Sequence, residues 1–202
     1  MDSDKYRKDI EDIKNLMNRS SQFLSLSGFS GVLAGVYALI GAYVTHRILQ
    51  QRQSYDVAVD SDTFRNIAIT AACVLLMALI TAVILTQLKA KKVGENLWNS
   101  TSRRMLANFS IPLATGGIFA LLLLRSQHYS IIAAVMLIFY GLACVNASKY
   151  TLHDVRYLGI TVIILGLLAT AFPEHALLLW ALGFGVCHIV YGTIMYFKYD
   201  RK

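Results

Sequence analysis

The sequence predicts an all-α polytopic membrane protein, a bundle of six transmembrane helices preceded by a short N-terminal amphipathic helix. Three observations predict it. All 19 Lys and Arg and all 12 Asp and Glu fall outside six uncharged, strongly apolar windows. The hydrophobic fraction is 56% and the mean hydropathy +0.52, where a soluble globular chain carries roughly 45 to 50% apolar residues. The basic residues also alternate in density from one connection to the next, as they do on the two sides of a bilayer.

The windows lie between Arg19 and Arg47, Arg65 and Lys89, Arg104 and Arg125, Arg125 and Lys149, Arg156 and Glu174, and Glu174 and Lys198. Crossing the hydrocarbon takes about 20 apolar residues, which places spans near 23–45, 66–88, 105–124, 129–148, 157–173 and 176–197. Lipid offers a bare backbone no hydrogen bonds, so the spans must be helices. The windows take 133 of the 202 residues and leave no room for a separate soluble domain.

Counting Lys and Arg by alternate segments puts 15 on the side of the N-terminal segment and C-terminal tail and 4 on the other. That bias predicts cytoplasmic N and C termini and outward-running first, third and fifth helices. The net charge of +7 is thereby a topology signal, and nucleic acid is not a predicted partner. The lipid bilayer is. Trp98, Tyr150, Tyr157, Tyr196 and Tyr199 fall near the cytoplasmic ends, where aromatic anchors belong. Nineteen residues of both charge signs precede the first window without a small-residue cleavage site, so that window is expected to stay as a helix.

Within residues 1–20, Tyr6, Ile10, Ile13 and Met17 recur on one helical face, and five basic and five acidic residues cancel. A helix lying on lipid is normally enriched in Lys and Arg, so this one is expected to pack against the bundle's own loops or a partner. In the first span Ser27, Gly31 and Gly35 repeat every four residues, a stripe that admits a close helix neighbour. That neighbour is either another helix of the chain or a second copy. Stripe and N-terminal helix together predict a homodimer.

The last span carries Ala181, Gly185, His188 and Gly192 on one α-helical stripe. His188 is expected neutral and hydrogen-bonded to a Ser, Thr, Tyr or backbone carbonyl, with proton-coupled transport as the competing use. In the third span Pro112 removes the backbone bond to the Asn108 carbonyl. Such breaks are usually structural, though transporters use them for ion sites. His46, His128 and His175 fall just after the outward-running helices and are candidate metal ligands without a local ligand spacing. Cys73, Cys144 and Cys187 lie in three different windows and form no Cys-x-x-Cys pair, so they read as small apolar core residues. The sequence has no Gly-x-Ser-x-Gly, His-Glu-x-x-His or phosphate-loop motif and no carboxylate within a window, so an enzyme, a cofactor or a particular small-molecule ligand is not predicted.

Two stretches, Phe23-Leu-Ser-Leu-Ser-Gly-Phe-Ser-Gly-Val-Leu-Ala-Gly-Val-Tyr-Ala-Leu39 and Gly185-Val-Cys-His-Ile-Val-Tyr-Gly-Thr-Ile-Met-Tyr-Phe-Lys-Tyr199, resemble a family of uncharacterised bacterial six-span membrane proteins. The resemblance implies residence in a bacterial inner membrane and brings no activity, cofactor or functional residue. The expected function is that of a non-enzymatic accessory, sensory or assembly protein acting through helix contacts. The alternative is a small-solute, ion or proton transporter using His188 and the kinked third span.

Overall fold

The computed structural model describes residues 23, 25–50, 61–94 and 96–201. Among these residues the chain is helical throughout, with no strand. Six helices are long and apolar enough to cross a membrane. We number them α1 (Gly28–Gln50), α2 (Ser61–Val93), α3 (Ser100–Arg125), α4 (Ile132–Ala147), α5 (Asp154–Ala171) and α6 (Pro173–Asp200). The expected helix over residues 1–20 lies outside the described residues.

Local chemistry sets the boundaries. Beyond the Lys91-Lys92 pair that ends α2, Gly94 takes a φ of +72°, a left-handed turn that glycine enters without steric cost. α3 opens on a capping box: the Asn99 side chain accepts from the Ser102 amide at 2.7 Å, and the Asn99 amide donates to Ser102 Oγ at 3.0 Å. α4 is flanked by single 3-10 turns at Tyr129–Ile131 and Ser148–Tyr150. α6 is irregular. It begins as a 3-10 turn at Pro173–His175, becomes α-helix, widens into a π-helix over Ala181–Cys187, returns to α over His188–Met195 and widens again over Tyr196–Asp200.

The packing order is α2 on α1, α1 on α6, α6 on α4 and α5, and α3 on α4. One core lies between α4 and α5 through Ala134, Leu137, Leu158, Val162 and Ala169, with Leu179, Phe184 and Tyr191 of α6 packed against it, and a second, nearer the chain ends, holds Cys144, Leu152, Val155 and Met195. α2 and α3 are outlying. No residue in the most apolar window of α2 is buried, and Leu75, Leu76, Ile80 and Val83 stand more than half exposed.

Between apolar helices in lipid there is no hydrophobic driving force, so association depends on how closely backbones approach. Two glycine seams supply that approach. At the first, a Cβ on Gly35 would lie 2.6 Å from the Gly185 carbonyl oxygen, and one on Gly192 2.6 Å from the Val32 amide, so α1 and α6 touch backbone to backbone. At the second, a Cβ on Gly141 would lie 2.6 Å from the Gly159 carbonyl oxygen, and the reverse distance is 2.7 Å. This α4–α5 contact is among the most extensive in the bundle, and the sequence reading did not single it out. The Ser27-Gly31-Gly35 stripe is thus occupied by α6 of the same chain, which leaves a homodimer to other surfaces.

Gly35→Leu is expected to lower the thermal unfolding midpoint in detergent by the equivalent of about 1 to 3 kcal/mol, the usual cost of overpacking. Gly31→Leu follows with a smaller loss, since a Cβ there meets the Gly192 Cα at 3.3 Å. Gly117→Leu should leave the midpoint unchanged or raised, because a Cβ at Gly117 has nothing within 4 Å. Equal melting of the Gly35 and Gly117 variants would remove the seam as a determinant of stability.

Candidate functional site

The polar groups that chemistry would use gather at three places. The first is His188, 7% exposed. Its Nδ1 stands 2.9 Å from the Gly183 carbonyl oxygen and its Nε2 2.7 Å from the Tyr140 hydroxyl of α4. A carbonyl only accepts, so Nδ1 carries the proton, and Nε2 of the neutral ring accepts from the Tyr140 O–H. The π-helix explains the reach. Its repeat brings residue i over residue i−5, so the widened turn at Ala181–Cys187 sets the ring of His188 above Gly183. Aromatic rings close the surroundings: Phe184 stacks on His188 at 5.9 Å between centroids, Tyr140 meets Phe184 at 5.0 Å, and Phe109 of α3 sits edge-on to Tyr140 at 6.0 Å. Trp180, 5.0 Å from Phe184, keeps its indole N–H buried without a hydrogen-bond partner.

The single stripe expected of a regular α-helix is divided here. Gly185 and Gly192 serve α1, whereas the His188 ring serves α4. α6 has neighbours on both sides and changes register at its π turns, so one face of period 3.6 does not describe it.

The second place is the break in α3. α3 continues through Pro112, and the carbonyl of Asn108 that the proline leaves without a backbone donor accepts instead from Asn146 Nδ2 of α4 at 3.1 Å. Asn108 Nδ2 donates in turn to the Arg104 carbonyl at 2.8 Å. The freed carbonyl is thereby spent on holding α3 to α4. Asn146 was missed by the sequence reading, which followed formal charge. Its signal was a side-chain amide inside an apolar window.

The third place closes the bundle at the end that carries the chain termini. Lys89 Nζ of α2 pairs with Asp200 Oδ1 at 2.6 Å and donates to the Leu26 carbonyl at 2.9 Å. The other carboxylate oxygen of Asp200 accepts from the Gly28 amide at 2.9 Å and from Ser27 Oγ at 3.4 Å, capping the first turn of α1. Both charged side chains are largely shielded, Lys89 to 16% exposure and Asp200 to 10%. Beside them Asp154, the first residue of α5, accepts from Lys198 Nζ at 3.0 Å and Tyr199 Oη at 2.8 Å. The segment leading into α1 is tied to the α4–α5 connection by Phe23 N to the Tyr150 carbonyl and Thr151 Oγ1 to the Phe23 carbonyl, both 2.8 Å. Sequence reasoning treated Lys89 and Asp200 as flanking charges. A partner 111 residues away leaves no local pattern to read.

The candidate metal ligands are not assembled. His46, His128 and His175 are exposed at their helix ends, and among the described residues no three His, Cys, Asp or Glu side chains form a group able to hold a metal ion. His175 meets only its neighbour Glu174, at 3.4 Å. Cys73 is exposed, Cys144 buried and Cys187 half-buried, each a free thiol.

No protein-family model, curated protein or solved structure matches the chain. The three polar places are therefore what a functional reading has to work with. All three draw their partners from the bundle itself.

His188→Leu is expected to destabilise the detergent-solubilised protein by about 1 to 2 kcal/mol, the upper range for hydrogen bonds between membrane helices, because the Tyr140 hydroxyl and the Gly183 carbonyl lose their partner. His188→Gln should cost less. The Tyr140→Phe and His188→Leu changes should cost less together than the sum of the two alone. Strict additivity in that double-mutant cycle would show that the contact carries no energy.

Proposed function

We propose that the chain is a multi-pass protein of a bacterial inner membrane, with both ends on the cytoplasmic side, that acts without catalysis as an accessory, sensory or assembly protein through helix contacts. The observation that carries this reading is the closure of His188. The only imidazole well inside the apolar helices is 7% exposed and has both ring nitrogens occupied by Tyr140 and Gly183. A transporter needs a polar group that meets solute or water near the bilayer centre, and here that group is used for packing. The proline break supports the same reading, since the Asn108 carbonyl is satisfied by Asn146. A surface for a partner is present in α2, which packs chiefly on α1 and presents Leu75, Leu76, Ile80 and Val83 outward.

The proposed orientation rests on the bias of 15 basic residues to 4. The clamp of Lys89 and Asp200, the Asp154 network and the basic residues Lys91, Lys92, Arg103, Arg104, Lys149 and Arg156 all lie at the end assigned to the cytoplasm.

Purified protein reconstituted into vesicles should move protons and small solutes no faster than protein-free vesicles, over a range of pH and membrane potential. Flux that disappears in both His188→Gln and His188→Leu while the bundle stays folded would replace this reading with the transporter. For orientation, a cysteine placed at Asp60 should label from outside intact cells with an impermeant reagent and one placed at Lys202 should not. The opposite pattern inverts the topology.

A further inference from the structure

The two helices that meet at the Asn108–Asn146 bond leave an open groove on one side of their seam. Its volume is about 320 Å3, and its walls include Pro112 and Thr115 of α3 and Phe139, Leu142, Asn146 and Lys149 of α4 or the turn that follows it. Phe139, Leu142, Asn146 and Lys149 are spaced by three or four residues and make one helical stripe. The groove therefore runs along α4 and opens at Lys149. Ten residues of helix at 1.5 Å each make it about 15 Å long, half of a hydrocarbon core of about 30 Å, so it is one leaflet deep. Its walls are chiefly apolar, with Leu142 42% exposed, and its mouth is basic, with Lys149 exposed.

Among the described residues the charge at the mouth has no carboxylate partner. α3 and α4 run antiparallel, so one turn beyond the Asn108–Asn146 bond, toward the same end, stand Arg104 on α3 and Lys149 after α4. Among the described residues neither forms an ion pair, and nor does Arg103. The described carboxylates at that end, Asp154 and Asp200, are held by Lys198 and Lys89. A cationic mouth above an apolar trough one leaflet deep is complementary to an amphiphile with an anionic head and an acyl tail. A free anion would leave the trough unused, and a zwitterionic head would leave the basic mouth half matched.

We propose that this groove binds one anionic glycerophospholipid, with its phosphate at Lys149 and one acyl chain laid along Leu142 and Phe139 past Pro112. Asn146 and Thr115 lie where the glycerol and ester oxygens pass from head to tail. The site depends on the helices crossing a bilayer but not on which way round the chain sits, and it is separate from the reading of His188.

The test is native mass spectrometry of the full-length protein in mild detergent, with phosphatidylglycerol, phosphatidylcholine or inorganic phosphate added. One phosphatidylglycerol should be retained in preference to phosphatidylcholine. Lys149→Gln, a change at an exposed side chain, should weaken phosphatidylglycerol about fivefold, the factor expected for one basic residue near an anionic headgroup, and leave phosphatidylcholine unaffected. Leu142→Trp, which fills the trough, should weaken both lipids. Unchanged thermal midpoints confirm that both variants are folded. Equal retention of the two lipids by the wild type, an undiminished preference in Lys149→Gln, or displacement of the lipid by inorganic phosphate alone overturns the proposal.

Discussion

A polar group among helices apolar enough to cross a bilayer has no water to turn to, and most of what is distinctive in this bundle follows from that one constraint. An unpaired amide or carbonyl in hydrocarbon costs several kcal/mol, so most interruptions of the apolar pattern are answered by a partner, the buried Trp180 indole N–H being an exception. The imidazole on α6 is answered by a tyrosine on α4 and a carbonyl of its own helix. The proline in α3 is answered by an asparagine on α4. Tyr37 and Thr81 share a hydrogen bond of 3.3 Å between α1 and α2, as do Tyr191 and Thr161 between α6 and α5. α4 receives two of these contacts and also makes a close backbone approach to α5, which accounts for its being the most buried of the six helices.

The bundle has two kinds of glue, placed differently. Glycine seams work where helices cross, and the gain there comes from dispersion at short range. Among the described residues, ion pairs join one helix to another only at the end where α1 begins and α6 finishes. There Asp200 joins the last turn of α6 to the first turn of α1 and the last turns of α2, and Asp154 joins α6 to α5. The separation is physical. An ion pair deep in the hydrocarbon would face a desolvation cost that its mutual attraction rarely recovers, whereas near the surface water and headgroups share it.

The number of helices and their approximate limits were legible in the sequence because both depend on a single local property, the absence of charge over a length that matches the bilayer. The close approach of α1 was legible for a similar reason, since Ser27, Gly31 and Gly35 form a pattern within one helix. Partners were not legible. Nothing local pairs Tyr140 with His188 or Asn146 with Asn108, though a hydroxyl or amide within an apolar window announces that some partner exists. The Gly141–Gly159 seam has one glycine on each helix at the crossing, and a stripe cannot be recognised from one member. The π turns of α6 escaped because periodicity assumes a constant repeat. The same assumption put His188 on a face with Gly185 and Gly192, although the ring and the two glycines address different helices. His46, His128 and His175 show the opposite error, in which an expected shared side of the membrane suggested a common site, whereas among the described residues no three ligating side chains form one.

The carboxylate that caps α1 has a consequence for the order in which the bundle is built. Asp200 stands 172 residues beyond the amide it accepts from, so the contact does not exist until α6 has been synthesised and inserted. The glycine stripe of α1 likewise finds its partner only in α6, the last helix of the chain. Helices emerge one after another, but the first acquires its final environment from the last. Nearly the whole chain must therefore exist before its first helix is fully held.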